Sequence, residues 1–271
     1  MKVRNGSIEL NVLDDGDQSA PPLLLLHGIT SYGGTWQWLV PELAERFRVL
    51  RLDFRGHGDS DRAPDEYTSS GYVTDALAVL DTLDQPAIVM GHSLGGVTTA
   101  ALAQHHADRL RAAIMEDPPL GLGPQSTSDQ PLEGNSLLDA FRLMRESIPQ
   151  LQASGITQEV LTGVLAAAPS ASGGTFGETL HADAIDQMAG SILRVDASVL
   201  DPVLTGTIEA FLDPEGGFGV PSLIICADPS KPDAVADPDL ARGFASRSDA
   251  VDVQIIDGAG HLIHDELASR D

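Results

Sequence analysis

Residues 87–101, AIVMGHSLGGVTTAA, constrain this chain more than any other stretch. A short apolar run ends on Gly91-His92-Ser93-Leu94-Gly95, and the chain then reads as a helix. Gly-x-Ser-x-Gly between a strand and a helix implies a sharp turn with strained backbone at the serine, so its neighbours must be small. Gly91 and Gly95 leave that room, and Gly96 lets the following helix pack closely. The Ser93 hydroxyl is thereby aimed above the end of a strand, beside a helix N-terminus whose field favours a developing anion.

Similar apolar runs recur at residues 22–28 (PLLLLHG), 48–54 (RVLRLDF), 111–117 (RAAIMED), 221–228 (PSLIICAD) and 251–258 (VDVQIIDG). Most lack alternation, as expected of strands covered on both faces. Residues 7–15 read as an antiparallel edge strand hairpinned with residues 2–4. Helical patterns separate the runs. Val73, Leu77 and Leu80 share one face of an amphipathic helix over residues 72–83. This alternation predicts an α/β fold with a mainly parallel sheet and right-handed crossovers.

About 100 residues separate Asp117 from Pro221, far more than between the earlier runs. The spacing predicts an insertion over residues 118–213, between core segments 1–117 and 214–271. It opens with a Gly-, Pro- and Ser-rich loop at 118–136, and helices are expected near 137–148, 158–167, 179–194 and 202–212. A helical cap over the carboxyl edge of the sheet fits this pattern, and ligands bind at that edge in open α/β sheets. Phe141, Met144, Phe176, Met188 and Phe211 are expected in its core, with substrate contact the alternative; a cap lined from such a set suits an uncharged, apolar substrate.

A net charge of −24, from 40 acidic and 16 basic residues, repels nucleic acid and anionic lipid. No apolar run approaches the ~20 residues of a membrane span, and the N-terminal MKVRNGSIEL has no apolar signal-peptide core. A cytoplasmic protein is expected. Cys226, the one cysteine, excludes an intrachain disulfide and reads as a buried, inert thiol.

A serine hydroxyl is a weak nucleophile and needs a base. Of eight histidines, His261 lies just past the last apolar run and would hang over the same sheet edge as Ser93; His264 is second choice. His92 is expected to pack locally, His105 and His106 to face solvent, and His27 to shape a turn. An oxyanion hole needs two aligned N–H groups. Leu94 supplies one, and Ile29, in the loop after the first core strand, is the best candidate for the other.

In order and separation, LLLLHG, DFRGHGDSD (residues 53–61), GHSLGG and GAGHLIH resemble the α/β-hydrolase superfamily. The resemblance covers residues 7–117 and 221–264 and leaves the cap unspecified. It implies a Ser/His catalyst needing neither cofactor nor metal, and a structural role for DFRGHGDSD. A serine at the elbow argues against the dehalogenase and epoxide-hydrolase branches. The resemblance further implies a carboxylate that orients His261. Most of the superfamily carries it after the strand that ends here near Ala227, which points to Asp228, although Asp228 falls about two residues early and Ser230 takes the aligned place. Zearalenone-type lactonases carry it after the strand that follows the nucleophile helix. There Asp117 stands 24 residues beyond Ser93, with Glu116 facing the other way. Asp117 is the leading acid, Asp228 the alternative and Asp233 a distant third. The family closes with a helix of some fifteen residues after the histidine; here ten residues follow His261, so that helix is expected either as a stub or cut short.

The expected activity is hydrolysis of a small uncharged ester or lactone through an acyl-enzyme. Two alternatives use the same fold: a cofactor-independent perhydrolase or haloperoxidase, and a weakly catalytic protein that binds a small ligand.

Overall fold

A computed structural model describes residues 1–122, 136–170 and 173–267. Eight strands form one sheet: β1 (Lys2–Asn5), β2 (Ile8–Asp15), β3 (Pro22–Leu26), β4 (Arg48–Leu52), β5 (Ala87–His92), β6 (Leu110–Glu116), β7 (Ser222–Ala227) and β8 (Val251–Ile256). Their order is β1-β2-β4-β3-β5-β6-β7-β8. β1 and β2 form an antiparallel hairpin, β2 pairs antiparallel with β4, and all other pairings are parallel. The central strand β3 is buried along its whole length, which explains its unbroken leucine run.

Helices α1 (Val40–Leu43), α2 (Ser69–Leu80), α3 (Leu94–His105) and α9 (Pro238–Ala245) lie in the crossovers. Between β6 and β7 come α4 (Ser136–Ser154), α5 (Gln158–Ala166), α6 (Phe176–Thr179), α7 (Ala182–Arg194) and α8 (Asp201–Leu204). The glycine-rich loop expected at 118–136 lies mostly outside the described residues, as do the last four of the chain.

Three boundaries differ from the sequence expectation. Helix α2 begins earlier, because Thr68 Oγ1 accepts the Gly71 N–H at 3.0 Å and caps it there. Helix α4 runs through Pro149 to Ser154. Past the proline, Gln152 Nε2 donates to the carbonyls of Ile192 and Val195, anchoring that last turn on α7. The helix expected at 202–212 stops at Leu204. Gly206 takes a left-handed φ of 67°, and the Thr207 and Ile208 N–H groups turn back to the Pro202 carbonyl. Among the described residues, no helix is long and apolar enough to cross a membrane.

The DFRGHGDSD stretch is structural, as expected. Asp53 accepts from the Gly33 N–H at 2.7 Å, from Asn11 Nδ2 at 2.9 Å and from the Asp59 N–H at 3.0 Å. Arg55 pairs with the fully buried Asp75 at 2.7 Å. These bonds fix the loop after β3 against the loop after β4, at the edge where Ser93 emerges.

Candidate active site

The turn between β5 and α3 is as tight as the glycines suggest. Ser93 has φ 51° and ψ −113°, a conformation that L-residues rarely adopt. A Cβ on Gly91 would lie 2.1 Å from the Gly95 carbonyl oxygen, and one on Gly95 would lie 2.3 Å from that of Leu26. The Ser93 N–H donates to the Glu116 carbonyl at 2.9 Å, tying the turn to β6.

His261, in the loop after β8, meets Asp117, the residue after β6. Its Nδ1 lies 2.6 Å from Asp117 Oδ2. Asp117 is fully buried and has φ 40°, the only described non-glycine residue besides Ser93 with positive φ. Its Oδ1 accepts from the Ala227 and Ala236 N–H groups at 2.9 and 3.1 Å, and its Oδ2 from Val235 at 3.0 Å. Burial alone would push this carboxyl up, but the His261 hydrogen bond and charge, with the backbone donors, hold it below the usual carboxylate range. An ionised Asp117 fixes the proton on His261 Nδ1 and leaves Nε2 for chemistry. Ser93 and His261 line one cavity of about 110 Å³.

Asp228, the alternative acid, is placed elsewhere. Its carboxylate accepts from the Ser230 N–H at 2.9 Å and the Gly258 N–H at 2.8 Å, closing the turns after β7 and β8. The two-residue displacement seen in the sequence makes it a turn former. Asp233 lies under the His261 main chain, with Oδ2 3.4 Å from its N–H.

The Leu94 and Ile29 N–H groups make no hydrogen bond among the described residues. The Ile29 N–H shares a peptide plane with the Gly28 carbonyl, which the Ser31 N–H and His27 Nδ1 hold at 3.0 and 2.8 Å. A trans peptide points the two groups oppositely, so anchoring the carbonyl aims the N–H. His27 Nε2 accepts the Phe54 N–H at 3.1 Å, which places the ring proton on Nδ1. Burial pushes its pKa well below the ordinary value, so His27 is neutral and shapes the turn, as expected. Cys226 is buried and its thiol is pushed up to about 11 by desolvation and by Asp117, consistent with an inert side chain.

Glu116 and His264 form a second acid–histidine pair that the sequence reading missed. Glu116 Oε1 accepts from His264 Nδ1 at 2.8 Å and from the His264 N–H at 3.0 Å. His264 thus pairs with Glu116 rather than Asp117 and stacks on Trp36, with ring centroids 4.4 Å apart. The doublet Glu116-Asp117 and the i, i+3 pair His261/His264 were the available signal. With His92, these two residues offer ligand atoms within 4.8 Å of one another, the one such group among the described residues. Their hydrogen bonds are made to each other, to main chain and to the Thr35 hydroxyl: Nδ1 of His264 serves Glu116, its Nε2 meets Thr35 Oγ1, and Nε2 of His92 serves the His261 carbonyl. The bonds to Glu116 and to the His261 carbonyl need protons on those two nitrogens, which suits an internal network.

A second cavity of about 620 Å³ is also lined by Ser93. It is lined mainly by apolar side chains, Leu120, Leu122, Leu138, Phe141, Val203 and Leu240 among them. No lysine or arginine is among the described residues lining either cavity.

A family profile described as alpha/beta hydrolase fold matches residues 21–267. A curated relative, 2-(acetamidomethylene)succinate hydrolase of Mesorhizobium japonicum, is 36% identical over 117 residues, 43% of this chain and 41% of that protein. The 2-hydroxymuconate semialdehyde hydrolase of Pseudomonas sp. (strain CF600) is 35% identical over 114 residues, 40% of this chain and 39% of that protein. These matches span less than half the length of the curated relatives. Among solved structures, N-formylmaleamic acid deformylase from Pseudomonas putida S16 superposes with a TM-score of 0.74 at 21% identity, covering 99% of this chain and 96% of that one. That likeness shows the fold.

Proposed function

The chain belongs to the alpha/beta hydrolase family, and from that premise we propose that it is a serine hydrolase cleaving an uncharged carboxylic ester or lactone. The observation that carries this reading is the 2.6 Å contact of His261 Nδ1 with buried Asp117, beside a strained Ser93 on the same cavity. Ser93 Oγ attacks the carbonyl carbon while His261 Nε2 takes its proton. The carbonyl oxygen becomes an oxyanion held by the Ile29 and Leu94 N–H groups. His261 gives the proton to the leaving alkoxide oxygen as the C–O bond breaks. Water then attacks the acyl-enzyme by the same route, releasing the acid and restoring Ser93.

The two cavities support a division of the substrate. His261 must protonate the leaving group, and His261 lines the smaller cavity, so a small alcohol fits there. Leu94 lines the larger, apolar cavity, which suits the acyl chain. The names of two similar proteins denote carboxylic acids. The described lining here offers no lysine or arginine to pair with a substrate carboxylate, which favours a neutral substrate. We read residues 118–213 as the cap that walls these cavities. The expectation of a cytoplasmic protein rests on the sequence.

The test is turnover of a neutral p-nitrophenyl ester by wild type and Ser93→Ala. Loss of nearly all activity in the variant supports the reading, and equal activity overturns it. A peroxide-dependent bromination assay separates perhydrolysis from plain hydrolysis.

A further inference from the structure

Glu116, His264 and His92 connect every part of the candidate site. Glu116 is the last residue of β6 and His92 the last of β5, immediately before Ser93. All three side chains are more than nine-tenths buried. The Glu116 main chain holds the nucleophile, since its carbonyl accepts the Ser93 N–H at 2.9 Å. Its side chain holds the base loop, since one carboxylate oxygen accepts both the His264 N–H and Nδ1. His92 adds a second tether: its Nε2 donates to the His261 carbonyl at 2.9 Å. Burial, with the neighbouring His261, pushes His92 down to about 3, so the ring is neutral and carries its one proton on that nitrogen. The three imidazoles are packed together, with His92 centroids 4.6 Å from His261 and 5.0 Å from His264. His264 extends the network to the loop that carries Ile29, through Thr35 Oγ1 at 3.2 Å and the stacked Trp36.

We propose that Glu116, His264 and His92 are positioning residues for His261: His92 holds its carbonyl and Glu116 holds the turn at His264, three residues on, so that its ring reaches Asp117 and Ser93 together. None of the three touches the reacting atoms. Asp117 constrains the ring at a single nitrogen, and the 3.4 Å contact of the His261 N–H with Asp233 Oδ2 is a long, weak hold that leaves the main chain of residues 261–264 room to shift along the sheet edge. The Glu116 clamp removes that freedom, and the His92 tether sets the distance to the nucleophile strand. A displacement of about 1 Å at a reacting group can cost on the order of 100-fold in rate. The inference rests on the serine-hydrolase reading.

The experiment compares wild type, Ser93→Ala, Glu116→Ala, Glu116→Gln and His92→Phe on a neutral p-nitrophenyl ester, with the low-field proton NMR signal of the His261 Nδ1–H recorded for each. Glu116→Ala is expected to lower kcat about 10- to 100-fold with little change in KM, and to broaden or shift the low-field signal. Glu116→Gln retains a carbonyl oxygen for both His264 donors and should recover most of the rate and the signal. His92→Phe keeps a ring but loses the tether, so it should resemble Glu116→Ala; it carries the test if the alanine variant does not fold. If folded Glu116→Ala and His92→Phe keep wild-type kcat, or lose kcat while the signal stays unmoved, positioning is overturned. If Ser93→Ala itself retains activity, the serine-hydrolase reading has failed instead.

Discussion

Asp117 and His261 are 144 positions apart in the chain and meet at 2.6 Å over the carboxyl edge of the sheet. Asp117 follows β6, the strand adjacent to β5, and so stands one strand nearer to Ser93 than the end of β7. Asp117→Asn is expected to lower kcat by ~10⁴, because a neutral amide no longer fixes the His261 tautomer. Asp228→Asn should leave kcat within a few-fold, since Asp228 holds turns. Steady-state kinetics of the two variants on one ester checks both statements.

The elbow is expected to tolerate no side chain at its glycines. Gly95→Ala would set a Cβ 2.3 Å from the Leu26 carbonyl oxygen, a backbone atom of the central strand that cannot move alone. The predicted loss is about 3 kcal/mol of stability, read from urea unfolding midpoints. Gly243→Ala, where a Cβ meets nothing within 4 Å, serves as the control and should lose little.

Much of this site could be read from residue order. Unbroken apolar runs mark strands buried on both faces, and the strand–helix alternation gave the parallel sheet because both signals are local. The Gly-x-Ser-x-Gly turn is legible for the same reason: its steric demand falls on neighbours in the chain. The choice between Asp117 and Asp228 was not legible, because it depends on how far β6 and β7 extend and on the positive φ of Asp117 that swings its carboxylate toward the loop after β8. The Glu116–His264 clamp depends on the same register, so it emerged only in three dimensions. The helix expected at 202–212 failed on one residue, Gly206, whose left-handed backbone ends the turn.

Stability should fall as pH drops below about 6.5. His92 is neutral in the fold, its pKa pushed down to about 3 by burial and by His261, with Glu116 and His264 also facing it. In the unfolded chain a histidine titrates near 6.5. Between these values the unfolded state binds the extra proton. His92 therefore stabilises the fold fully above about pH 6.5 and less at each step below, by up to roughly 1.4 kcal/mol per pH unit. Asp117 and Glu116, held below their ordinary values, add to the loss below about pH 4. Unfolding free energies between pH 4 and 7 should fall less steeply in His92→Phe than in wild type; equal slopes would count against a neutral buried His92.

The larger cavity should set acyl preference. Leu240→Trp narrows its apolar wall and is expected to lower kcat/KM about tenfold or more for a methyl octanoate-type ester, with acetate esters little affected. Equal losses on both substrates would place the acyl chain elsewhere.

The most direct test of the central claim, that Ser93 is a nucleophile activated by His261, is mass-spectrometric mapping of the adduct formed with a neutral fluorophosphonate. The account predicts a single phosphonylated peptide containing Ser93, absent from Ser93→Ala and formed far more slowly by His261→Ala. Unmodified Ser93, or labelling at the wild-type rate without His261, would contradict it.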